Sequence, residues 1–117
     1  MQYALLIYDD ESMWAKMAAD ERGALMDEYR AFSASLVASG QMRGGEPLTP
    51  SSSATTVRVR SGDRVVTDGP FAETREQLGG FYVIEAKDLD EAVAIASRIP
   101  SARFGTIEVR PIAKMGG

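Results

Sequence analysis

The chain has 117 residues, 44% of them apolar, with a formal net charge of −4 and an isoelectric point near 4.8. That length suits one domain, residues 1–117, with a hydrophobic core of its own. Histidine and cysteine are both absent, which excludes disulfides, thiol nucleophiles, Ser-His-Asp catalysis and His- or Cys-ligated zinc. The arginines are scattered and the balance is acidic, which argues against nucleic acid as a partner. No apolar run reaches the ~20 residues of a membrane span.

Residues 2–8 alternate Tyr3, Leu5 and Ile7 with Ala4, Leu6 and Tyr8. Both faces are apolar, which predicts a strand buried on both sides. No basic stretch precedes it, so a cytoplasmic location is expected. Asp10 is placed to cap a short helix carrying Met13, Trp14 and Met17 on one side. Asp20 is placed to cap a longer helix, in which Leu25, Tyr29, Phe32 and Leu36 recur at helical spacing beside Met26 and Val37. Gly40 stops it.

Residues 41–54, with Gly44-Gly45, Pro47, Pro50 and three serines, read as a loop holding one short strand at most. Thr55–Arg60 and Arg64–Thr67 read as a hairpin around Ser61-Gly62-Asp63, with Val57 and Val59 facing inward. Residues 81–85 form another strand with two apolar faces. Asp88 and Glu91 make a capping-box pattern ahead of a helix whose inner stripe is Leu89, Val93, Ala96 and Ile99, with Ala92 beside it. Pro100 ends that helix, and Thr106–Arg110 is the last strand, with Ile107 and Val109 inward. This order predicts an α+β fold: a ferredoxin-like sandwich, one antiparallel sheet with two main helices on one face. The helix-free face carries more apolar surface than a monomer keeps in water, so a homodimer packed sheet against sheet is expected.

The chemistry concentrates in Asp68-Gly69-Pro70-Phe71-Ala72-Glu73-Thr74-Arg75-Glu76-Gln77-Leu78-Gly79-Gly80. Asp68 follows a strand and precedes a Gly-Pro bend. It either serves the turn by accepting backbone hydrogen bonds or projects into a cleft as an acid or base. Glu73 and Glu76 share a face if residues 73–78 form a helical turn; they then either join Asp68 around a proton or hard cation, or stay in water. Gly79-Gly80 permits either a tight lead into a strand or close approach of a ligand. Glu46 after Gly44-Gly45 is a candidate for the same cleft. Tyr82 is either a packed core tyrosine or a phenolic donor, and Arg110 either an ion-pair partner or an anion ligand. No dinucleotide or P-loop motif is present, and neither cofactor nor metal is expected.

Residues 68–76 resemble the signature of the DGPF branch of the YCII-related proteins, which reads roughly DGPFAETKE; Arg75 stands where Lys is usual and keeps the charge. Gly44-Gly45-Glu46 and Glu108-Val109-Arg110-Pro111 resemble two further segments of that family, so the resemblance covers almost the whole chain. It implies a dimeric α+β barrel. YCII proteins are assigned a His-Asp active pair, which this chain cannot supply. Genes of the branch often neighbour those of extracytoplasmic-function sigma factors, which implies a transcription-linked accessory role. Two readings stand. One is a homodimeric module that binds a small ligand or serves a sigma-factor-linked pathway. The other is a small cofactor-independent enzyme with Asp68 as acid or base and Glu73 assisting. Glu46, Gly69, Pro70, Phe71, Tyr82 and Arg110 are the expected ligand-side residues. A cofactor-free monooxygenase is a third reading, by analogy of fold alone.

Overall fold

The computed structural model describes residues 1–114. Its strands are β1 (Gln2–Asp9), β2 (Met42–Pro47), β3 (Thr55–Arg60), β4 (Asp63–Asp68), β5 (Gln77–Glu85) and β6 (Thr106–Pro111). Its helices are α1 (Glu11–Lys16), α2 (Ala19–Ala38) and α3 (Leu89–Ala96), with short 3₁₀ turns at Ser51–Ser53 and Pro100–Arg103. The fold is mixed α+β. An antiparallel sheet in the order β2-β5-β1-β6 carries α2 and α3 on one face.

Alternation decides what β1 buries. Tyr3, Leu5, Ile7 and Asp9 point to the helices, while Ala4, Leu6 and Tyr8 point away and stay half-buried. In register, Tyr3 faces Ile84, Leu5 faces Tyr82 and Val109, and Ile7 faces Gly80 and Ile107. Phe32 and Leu36 of α2 and Ala92, Ile95, Ala96 and Ile99 at and beyond α3 close the core over these residues. Phe32 meets Tyr82 edge to face, ring centroids 5.1 Å apart.

The helix ends follow local chemistry. The Asp10 carboxylate accepts from Ser12 N at 2.9 Å and starts α1. Asp88 accepts from Glu91 N at 2.9 Å, and Glu91 returns to accept from Lys87 N at 3.0 Å, one residue earlier than a strict capping box. The long helix begins a residue before the expected cap: Ala18 holds that position and Asp20 lies in the first turn, where its charge favours the helix dipole.

The expected ferredoxin-like sandwich that closes into a dimeric α+β barrel is corrected on two counts. First, the hairpin β3–β4 is not part of the main sheet. Among the described residues its strands pair only with each other, and β2, the one short strand that residues 41–54 allowed, takes the edge beside β5. The glycines make this possible. Gly45 sits at φ +153°, and a Cβ there would lie 2.7 Å from the Phe81 carbonyl oxygen. Second, among the described residues the sheet is open, with β2 and β6 as its edges, and no barrel closes. Four strands are half of the roughly eight that a small side-chain-filled barrel uses.

The hairpin consequently overturns a burial expectation. Val57 and Val59 are exposed, as are Val65 and Val66. The molecule measures 48 × 47 × 19 Å with a radius of gyration of 16.3 Å, against about 13 Å for a compact chain of this length. In α3 the inner stripe is Ala92, Ile95 and Ala96; Leu89 and Val93 lie outside. The helix is only two turns long, so a one-residue rotation of the buried stripe exchanges these positions.

Candidate functional site

The C-terminal end of β1, with Ile7 and Asp9, faces a space shared with α1 and α2. An open cavity of about 780 Å³ lies there, bounded by β1, β2, β5, α1 and α2. Its wall is chiefly apolar, with Ile7, Trp14, Met26, Met42, Pro47 and Leu48 among the contributors. Such a volume suits a small organic molecule.

The polar end of this cavity is a cluster that the sequence reading did not select. Asp9, the last residue of β1, is 5% exposed. Its Oδ2 accepts from Trp14 Nε1 at 2.9 Å and from Ser101 Oγ at 3.2 Å. Ser101, fully buried in the 3₁₀ turn after α3, is also in a short hydrogen bond with Tyr29 Oη. Burial raises the pKa of Tyr29 above its ordinary value; the Ser101 hydrogen bond opposes this and the Asp9 charge adds to it. The phenol therefore stays protonated through neutral pH. Asp9, Trp14 and Tyr29 all line the cavity.

Asp9 was legible in one respect. The period-two alternation that buries Tyr3, Leu5 and Ile7 continues to Asp9 and places it on the core face. Trp14, which the sequence places with Met13 and Met17 on one side of the short helix, lines the cavity. Ser101 carried no local signal: 92 residues separate it from Asp9.

The sequence-selected residues are dispersed. Glu46 and Tyr82 line the main cavity. Tyr82 Oη also shares a hydrogen bond with Ser33 Oγ at 2.8 Å. Pro70 and Glu73 border a second, smaller cavity of about 240 Å³ with Ser51, Ala72, Thr74 and Gln77. Asp68 ends β4, opposite Thr55, exposed and with no side-chain hydrogen bond among the described residues. Asp68, Gly69 and Phe71 border neither cavity. The bend at Gly69 is held by main chain instead: Gly69 N donates to the Ala54 carbonyl at 2.6 Å, and its own carbonyl accepts from Thr56 Oγ1 at 2.7 Å. Phe71 is 79% exposed.

Residues 73–76 form no helical turn, so Glu73 and Glu76 do not share a helix face. Glu76 accepts from Thr106 Oγ1 at 2.8 Å, while Glu73 stays exposed. Arg110 pairs with Glu108 at 2.7 Å on the exposed part of β6. Its register opposite Ala4 puts it on the helix-free face, away from the main cavity. Gly79 and Gly80 lie within β5, Gly79 at the irregularity where β1 and β5 change register. Among the described residues, no group of three or more acidic side chains is arranged to hold a metal ion, and no helix is long and apolar enough to cross a membrane.

Residues 1–116 match the profile of the YCII-related domain. The chain is also similar to an uncharacterised protein of Rhizobium meliloti (strain 1021), with 40% identity over 115 residues that cover 97% of this chain and 93% of the relative.

Proposed function

The chain belongs to the YCII-related domain family, and we propose that this member binds a small, largely apolar organic molecule in the cavity beneath α1 and α2. The observation that carries this reading is the join of a roomy, chiefly apolar wall to one buried polar cluster, Asp9-Ser101-Tyr29 with Trp14. Apolar surface supplies affinity by leaving water, and a few fixed polar atoms orient the ligand. We place the chain in the DGPF branch of the family on its residues 68–76, whose Pro70 and Glu73 stand at the second cavity.

The experiment is a fragment screen read by the fluorescence of Trp14, the single tryptophan of the chain. Saturable changes are expected from small apolar molecules bearing one polar group. Ala15→Phe, which narrows the cavity from an exposed helix position, should weaken them at least about fivefold, the scale of ~1 kcal/mol. Absence of any saturable binder at millimolar concentration, or indifference to Ala15→Phe, overturns the reading.

A homodimer belongs to the same proposal. Leu6, Phe81 and Val83 are half-buried on the helix-free face, and Phe71 with the hairpin valines is exposed outright. Apolar surface left in water on a sheet face and a hairpin is what a second copy covers. Sedimentation at micromolar concentration should give a dimer that Leu6→Glu dissociates; a monomer under those conditions overturns it. A transcription-linked role rests on the family's gene neighbourhoods alone. The Asp68 enzyme reading draws no support from the two cavities, since Asp68 borders neither.

A further inference from the structure

The ligand-binding reading above can be taken one step deeper, to the chemical class of the ligand. Both hydrogen bonds that reach Asp9 fall on Oδ2. Oδ1 receives none among the described residues. It is not sealed off either, because no buried side-chain oxygen or nitrogen there lacks a partner. The space onto which Asp9 opens is the cavity it lines. Gly79 leaves this oxygen uncovered: a Cβ at that position would stand 3.5 Å from Oδ1.

The neighbouring polar atoms have already committed their protons. Ser101 gives its hydroxyl proton to Asp9, so the short contact between Tyr29 Oη and Ser101 Oγ uses the phenol's proton. The lone pairs of Tyr29 Oη remain. Trp14 N–H is spent on Asp9. The Ser101, Tyr29 and Trp14 protons nearest Asp9 are thus committed, while the Ser33–Tyr82 pair, which shares one hydrogen bond, keeps one free hydroxyl proton in the same cavity.

Charge sharpens the point. Among the described residues no Lys or Arg pairs with Asp9. A buried carboxylate without a cation bears a desolvation cost that a partner charge would offset. Arg22 and Arg30 also line the cavity, but both are exposed to solvent, and Arg30 is paired with Asp27. The buried charge is the acidic one.

We propose that the cavity is built for a protonated amine on a largely apolar skeleton, its ammonium group seated on Asp9 Oδ1 and Tyr29 Oη. The rings of Trp14, Tyr29 and Tyr82 line the same space, and aromatic rings favour an organic cation. A hard metal ion is not the occupant, since Asp9 stands without the further carboxylates that such ions gather.

Three probes of matched skeleton test this at neutral pH: phenethylamine, phenethyl alcohol and hydrocinnamate. Each is titrated against wild type and Asp9→Asn, with binding followed through the NMR signal of the Trp14 indole N–H. In wild type the amine should bind about tenfold more tightly than the alcohol, because an ionised hydrogen bond is roughly twice as strong as a neutral one. The carboxylate should bind weakest. Asp9→Asn should bring the amine down to the alcohol and leave the alcohol within about twofold. Alcohol or carboxylate binding that equals the amine's in wild type overturns the proposal, as does an amine advantage that survives Asp9→Asn. If that variant does not fold, the wild-type ranking decides by itself. Binding by none of the three classes is a different result: it removes the small-ligand reading and this inference with it.

Discussion

The hairpin β3–β4 and the strand β1 carry similar apolar alternation and meet opposite fates. Tyr3, Leu5 and Ile7 vanish beneath α2 and α3, whereas Val57 and Val59 stand in water, Val59 at 62% exposure. The difference is not in the strands. A sheet face is buried only where another layer covers it, and the helices of this chain cover one face of one sheet. A two-stranded ribbon alone is marginally stable, so the hairpin is the region in which self-association should be felt first.

The largest effect expected from this contrast is in the core. Leu36 is 0% exposed, and Leu36→Ala should cost about 2–5 kcal/mol by denaturant unfolding. Val59→Ala should stay within ~0.5 kcal/mol, as exposed substitutions do. A Val59→Ala loss comparable with that of Leu36→Ala breaks the comparison and shows the hairpin buried against a second copy.

Next comes the polar cluster under the cavity. Ser101→Ala removes the donor to Asp9 and the partner of Tyr29 together. Leaving buried polar atoms unpaired should cost about 1–3 kcal/mol in chemical denaturation. A loss near zero means water replaces the hydroxyl, and the cluster is then less enclosed than its burial implies.

Tyr29 separates the two regions by pH. Burial raises its folded-state pKa above the ordinary 10.0, so the folded state holds this proton more tightly than the unfolded chain does. Its contribution to stability is complete below about pH 10 and is lost as pH climbs through the folded value. Stability should therefore fall on the alkaline side in wild type and fall less in Tyr29→Phe. Identical alkaline profiles rule out a proton held by burial at Tyr29.

The smallest effect belongs to Asp68→Asn. The carboxylate is exposed and accepts no hydrogen bond among the described residues, so the melting temperature should match wild type, with a change within ~0.5 kcal/mol. Ligand titrations on the same variant should also be unchanged, because Asp68 borders neither cavity. A folded variant that loses binding restores Asp68 as a site residue, reached through assembly.

Much of the local structure was written in the chain. Two-faced apolarity in residues 3–8 and 81–85 marked the central strands, and Asp10 and Asp88 marked helix starts by the hydrogen bonds that their carboxylates make. Such features depend on neighbours within a few residues, so spacing and side-chain chemistry suffice to read them. Three matters were decided by the tertiary structure. The glycines of β2, in a segment that allowed one short strand at most, let that strand approach β5 and take the sheet edge, and the hairpin stays outside the sheet. The open sheet edges exclude the barrel. The site forms where the ends of β1 and α1, the middle of α2 and the turn after α3 converge, bringing Asp9, Trp14, Tyr29 and Ser101 together across as many as 92 residues of chain. The DGPF stretch stood out in the sequence because its turn residues are chemically distinctive. The polar cluster did not, because an aspartate, a tryptophan, a tyrosine and a serine acquire a joint chemistry only when packing removes the water between them.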